Sequence, residues 1–153
     1  MRGDSFRIDC RRRITRGVIT HDNQHCVVGC GDIETAQHLF CSFPFFFSSD
    51  LWGQIRSWIG IATTEPLFLS DHFYQFVYFA GASRTIRSFM QLIWLCCVWV
   101  LWNERNSRVF KNMDHTVHQL VEKVKLQSFW WMKATNLSIR HNFHMWWSNP
   151  LVC

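Results

Sequence analysis

A chain of 153 residues, 48% hydrophobic with nine Trp and 14 Phe, has the material for a core of its own, which excludes an intrinsically disordered chain. The net charge is +5 and the excess is uneven: Arg2, Arg7, Arg11, Arg12, Arg13 and Arg16 face only Asp4 and Asp9 in the same stretch. Such a basic arm suits a polyanion, nucleic acid before an acidic membrane surface; the competing reading is a solvated tail.

The polar first residues do not read as a secretory signal. Seven Cys without such a signal imply free thiols in a reducing, intracellular compartment, nuclear or cytoplasmic. On the same ground Arg2-Gly3-Asp4 and the sequon Asn136-Leu137-Ser138 carry no weight.

In chain order, residues 1–20 carry Ile8, Ile14, Val18 and Ile19 and predict a short helix ending near Gly17. Residues 21–31 are turn-rich and hold Cys26 and Cys30. Asp32 can cap a short helix with Glu34 in its first turn and His38 further along. Pro44 disfavours helix at Phe43, so that helix should stop near Ser42. Residues 50–58 predict a helix with Leu51, Ile55, Trp58 and Ile59 on its apolar side and Gly60 as its stop. A loop containing Pro66 follows, then a helix capped by Asp71 and running through Phe79. Gly81-Ala82-Ser83 makes the next break, with Ser83 as a cap.

Residues 84–110 give the clearest helix, apolar on every side through its middle, as expected of the centre of a bundle. Its longest apolar run, residues 92–102, is too short to span a bilayer, so no membrane partner is expected. Trp94, Trp99 and Trp102 are expected in the core, as is Cys96-Cys97; Glu104 and Arg108 stand at i,i+4. Asp114 or Thr116 opens a last helix, with Val117, Leu120, Val121, Val124 and Trp131 in one stripe. His118, Glu122, Lys125 and Lys133 are expected to face water. Of the pairs Trp130-Trp131 and Trp146-Trp147, one member each is left exposed or covering a groove, since helical neighbours cannot both face one core; core or intramolecular cover is the favoured reading over stacking on nucleic-acid bases.

The expected fold is mainly α: a small helical bundle with an N-terminal Cys/His turn resembling a zinc knuckle. One structural domain has three parts: a basic arm and Cys/His segment over 1–60, a bundle packed on it over 61–135, and an irregular Trp-rich tail over 136–153.

The densest chemistry lies between His25 and Cys41. Cys26 and Cys30 are separated by a Gly-containing turn able to aim two sulfurs at one ion. A helix then returns with His38, and Cys41 lies three residues on, on the same face. Cys26, Cys30, His38 and Cys41 make a closed Cys₃His set, the donor type of a structural rather than a catalytic Zn²⁺. The plainer reading is that these Cys pack as small hydrophobes. His115/His118 and His141/His144 have i,i+3 spacing but no Cys or carboxylate partner close in sequence. Asp71-His72 is no triad, and no phosphate loop, nucleophile elbow, zinc-protease helix or dinucleotide fingerprint occurs.

Arg16-Gly17-Val18-Ile19, the Cys26–Cys30 turn, Glu34-Thr35 and His38-Leu39-Phe40 resemble the reverse transcriptase zinc-binding domain at the C-terminal end of plant LINE-type (non-LTR) retrotransposon polyproteins. Also similar, and in the same order, are Ile93-Trp94 to Trp99, the run Trp102-Asn103-Glu104-Arg105-Asn106-Ser107-Arg108-Val109-Phe110, Lys123-Val124-Lys125 with Trp130, and Trp146-Trp147-Ser148-Asn149-Pro150-Leu151. The resemblance implies zinc-site roles for Cys26, Cys30 and His38. The family's final Cys stands directly before a Pro; here Phe43 precedes Pro44, so either Cys41 substitutes or the fourth ligand is lost.

Polymerase chemistry needs paired acidic residues, and this chain has no Asp-Asp pair. The resemblance therefore implies a detached tail with no enzymatic activity and no small-molecule substrate. Arg11, Arg12, Arg13 and Arg16 would contact the phosphates of RNA or DNA. The alternatives are a helical module that docks a protein through exposed aromatics, and a non-functional remnant of a decayed element.

Overall fold

The computed structural model describes residues 33–41, 46–63, 66, 68–79, 83–135 and 142–151. About 80% of them are helical and none forms a strand, as a mainly α chain requires. The expected helix in 1–20, the turn at 21–31 and the cap Asp32 lie outside the described residues.

The helices are α1 (Ala36–Cys41), α2 (Phe46–Ile59), α3 (Leu69–Tyr78), α4 (Arg84–Lys111), α5 (Val117–Ala134) and α6 (Phe143–Ser148). Their ends follow from local chemistry. The N–H of His38 donates to Thr35 Oγ1 at 3.0 Å, so Thr35 supplies a side-chain acceptor at the start of α1. Gly60 ends α2 at φ +80, where a side chain would be strained. Its N–H reaches Ser57 O at 3.2 Å and that of Ile61 reaches Arg56 O at 3.0 Å, the paired bonds of a Schellman stop. Asp71 lies in the first turn of α3 rather than at its cap, because α3 starts at Leu69. The N–H of Leu69 is satisfied instead from α1, by Gln37 Oε1 at 2.7 Å.

Ser83 caps α4, its Oγ accepting from Ile86 N at 3.3 Å. Asn112 ends α4 in the left-handed region at φ 49, which Asn tolerates. Thr116, not Asp114, opens α5 through a reciprocal capping box with Gln119.

The α4 helix organises the bundle. Over 28 residues it is long and apolar enough, by length and composition, to cross a membrane. It also carries Phe89, Met90, Ile93, Trp94, Cys97 and Leu101 into the core. It packs on α3 and α5, α2 packs on α5, and α1 touches α2, α3 and α4. Trp52 and Trp94 meet within this core with ring centroids 6.2 Å apart, and Trp52 Nε1 donates to Phe40 O at 2.8 Å. Cys96 and Cys97 are fully buried, and burial pushes the Cys96 thiol up to about 12, so neither is a reactive thiolate.

Three expectations are corrected. The α4 helix is not buried all round: Leu95 and Trp99 are 43% and 50% exposed, and Trp102 is half-buried. The tail over 136–153 is not irregular throughout, since 143–148 is helical and Trp146 is fully buried. Lys125 does not simply face water; its Nζ lies 5.2 Å from the Trp58 ring and 5.3 Å from that of Trp147. In both Trp pairs one member is more open: Trp130 is exposed against half-buried Trp131, and half-buried Trp147 against buried Trp146.

Candidate functional site: the Cys/His segment and its junction with the bundle

Of the expected metal donors, Cys26 and Cys30 lie outside the described residues, as do Arg11, Arg12, Arg13 and Arg16. His38 is described: it stands in α1 and is 7% exposed. Cys41 is the last residue of the same helix, three positions on, and its side chain lies outside the described part. Among the described residues no three His, Cys, Asp or Glu groups converge on a point that could hold a metal. That holds for His115 and His118 too; His141 falls outside the described residues.

Beside His38 stands a feature the sequence reading missed. Glu34 and Arg105 form an ion pair, Nε to Oε2 at 2.5 Å, with both side chains 3% exposed. The Arg105 guanidinium also lies 5.7 Å from the Trp102 ring. Burial pushes the Glu34 carboxyl up, against the opposing pull of Arg105 and of nearby His38. Its second oxygen, Oε1, is buried with no hydrogen-bond partner. An outer-shell carboxylate orients a metal-ligating imidazole by accepting a hydrogen bond from its second ring nitrogen; Glu34 Oε1 accepts none, so the described residues do not show that arrangement.

A second charged cluster closes the α4–α5 turn. Glu104 Oε1 accepts from Arg108 Nε and from the backbone N–H of His115, each at 2.9 Å. Oε2 accepts a hydrogen bond from His115 Nδ1 at 2.6 Å. The i,i+4 spacing announced the Glu104–Arg108 pair; His115 joins it because the short turn after Asn112 folds back onto α4. Burial opposes ionisation of Glu104, yet the hydrogen bonds from His115 and Arg108 outweigh it and hold the carboxyl below its ordinary range. A lowered carboxyl stabilises the fold above its unfolded value of 4.5, and that stabilisation is lost as pH falls through the folded value. Glu104→Gln is therefore expected to flatten the acid limb of a stability–pH curve below about pH 4.5, measured by urea melts at stepped pH. An unaltered slope would mean that the pairing contributes nothing.

His72 is a core residue. It is 5% exposed, lies 4.4 Å from the Trp52 ring, and its Nδ1 accepts from Trp94 Nε1 at 3.0 Å. The adjacent Asp71 is exposed, so the two make no catalytic pair.

Comparison with family models, with curated proteins and with solved structures found no match to this chain.

Proposed function

We propose that this chain is a zinc-supported, nucleic-acid-associated domain: the detached tail of a retrotransposon reverse transcriptase, without polymerase activity of its own. Cys26, Cys30 and His38 would hold a structural Zn²⁺, with Cys41 or water as the fourth donor. Bound there, the ion would pin the basic arm to the helical body, leaving Arg11, Arg12, Arg13 and Arg16 to contact phosphates.

The observation that carries this reading is the Glu34–Arg105 pair. Glu34-Thr35 and the Trp102–Phe110 run are two separated segments that bear the family resemblance. They meet through a buried ion pair next to His38, and Glu34 keeps an unpartnered oxygen there. A junction of that kind suits a Cys/His segment that works as part of the bundle.

Metal analysis tests the reading. Purified wild-type chain is expected to carry near-stoichiometric zinc, and Cys30→Ser to lose most of it together with thermal stability. Binding of labelled RNA or DNA should weaken as salt rises. Wild-type protein without zinc, or nucleic-acid affinity flat across salt, would overturn the corresponding half. Exposed Phe68 and Tyr74, at the start of α3 and within it, favour the second reading, a protein-docking module. Its mark is salt-insensitive self-association with no shift of labelled nucleic acid.

A further inference from the structure

The side of the α4–α5 pair that faces away from the core is unusual for a helix as apolar as α4. Trp99 and Trp130 are 50% and 59% exposed, and Leu95 and Leu126 precede them by one turn each. A shallow cleft of about 190 Å³ runs between the helices here, bordered by Trp99, Asn103, Lys123, Leu126 and Gln127. Glu104 also borders it, but Arg108 and His115 already occupy both of its carboxylate oxygens. Lys123 therefore sets the sign of the cleft.

Exposed Arg84 lies on the Leu95/Trp99 side of α4 by helical spacing, about 22 Å along the axis from Trp99, and Lys133 on α5 has its Nζ over the Phe129 ring at 5.5 Å. Exposed Glu122 is an acid on the Leu126/Trp130 side of α5, and His118, 3.5 Å away, offsets its charge only when protonated.

We propose that this face binds single-stranded nucleic acid, with Trp99 and Trp130 stacking on bases and Lys123 contacting the backbone. The proposal rests on the reading of the chain as nucleic-acid-associated and names the strand type and the residues. Exposed indoles with a cation in the adjoining cleft are the two parts of a sequence-tolerant single-strand site: π-faces for bases and charge for phosphate. A duplex keeps its bases stacked on each other and offers the indoles nothing. A second protein is the poorer fit, since lysine is depleted from the centres of protein interfaces and here stands in the cleft itself. The amides of Asn103 and Gln127 add donors and acceptors within reach of base edges.

The test uses the full chain with a fluorescein-labelled 20-nucleotide single strand and its duplex, read by anisotropy and tryptophan quenching. Wild type is expected to prefer the single strand and to show quenching. Trp99→Ala with Trp130→Ala should weaken single-strand binding by about tenfold or more, because each stacked base contributes about 1–3 kcal/mol. The salt slope should stay unchanged in that variant, since the indoles carry no charge. Lys123→Ala should lower the slope by about 0.7, one phosphate on a single strand. Both positions are exposed, so an unchanged far-UV spectrum is the control.

Full single-strand affinity in the double Trp variant overturns the proposal, as does equal affinity for duplex. Loss of a salt-insensitive dimer in that variant, with nucleic-acid binding intact, also overturns it and assigns the face to a second copy. If Arg11, Arg12, Arg13 and Arg16 replaced by Ala abolish binding while the Trp variant does not, this proposal falls and the broader reading stands. If wild type binds no nucleic acid, both fall.

Discussion

Glu34→Ala is expected to destabilise the fold by about 3–5 kcal/mol, because it leaves the Arg105 charge buried without its carboxylate. The Arg105 and Glu34 side chains are each 3% exposed, so water cannot replace the missing partner. Arg105→Ala should cost as much by stranding the carboxylate, and it also removes the cation from the Trp102 ring. With total stabilities of about 5–15 kcal/mol for domains of this kind, either change should move the urea midpoint by a large fraction. Glu34→Leu combined with Arg105→Met should recover most of the loss, since replacing a buried pair with apolar groups of similar volume is often neutral or better. The double-mutant cycle therefore has a definite signature: two damaging singles and a mild double. Singles within about 1 kcal/mol of wild type would show that the pair is solvated in solution, and would remove the main support for a Cys/His segment joined to the bundle.

The second large effect is expected from Trp146→Ala. Trp146 is fully buried, meets the Trp58 ring edge-on at 5.5 Å, and its Nε1 donates to Lys125 O at 3.0 Å. Deleting the indole leaves a large cavity between α2, α5 and α6, for which about 3–5 kcal/mol is typical. The consequence spreads, because Trp147 O on the same helix accepts from both Trp58 Nε1 at 2.9 Å and Lys125 Nζ at 3.3 Å. Trp146→Phe keeps a ring and loses the hydrogen bond, so a smaller cost of about 1–3 kcal/mol is expected. Hydrogen exchange should show early loss of protection over 143–148 in the Ala variant. A wild-type melt in that variant would mean that α6 is not docked in solution.

Much of the fold was legible because its signals are local. Ser83 and Thr116 are side-chain caps next to long apolar patterns, and Gly60 sits where a helix must turn left-handed. The α6 helix has a side-chain cap too, Asn142 accepting from Met145 N at 2.9 Å, but six residues are fewer than two turns, too short for a periodicity to appear, and its stability comes from docking rather than propensity. Lys125 was misread for a related reason. A long aliphatic stem can lie against indoles while its ammonium finds a carbonyl, and periodicity records only that a charged residue stands at that position.

The junction beside His38 was the least legible part. Glu34 and Arg105 are separated by 71 positions, and nothing local to either residue announces the other. The i,i+4 pair of Glu104 and Arg108 was visible, but His115 enters it only because the turn after Asn112 reverses the chain. The exposure of Trp99 was likewise hidden. A run that is apolar on all sides reads as wholly buried, and only the placement of α3 and α5 decides which side is left uncovered.

By itself, then, the amino-acid sequence determined the mainly helical class, the long apolar helix, most helix ends, and the burial of Cys96 and Cys97. These depend on side-chain period and on backbone groups a few residues apart, which a linear text contains in full. Only the tertiary structure decided that Glu34 meets Arg105, that Trp146 docks beneath Trp58, and that Trp99 and Trp130 are exposed, with Trp99 sharing a cleft with Lys123. Each of those depends on which helix lies against which, and that is set by the packing of the whole core rather than by any neighbouring residues.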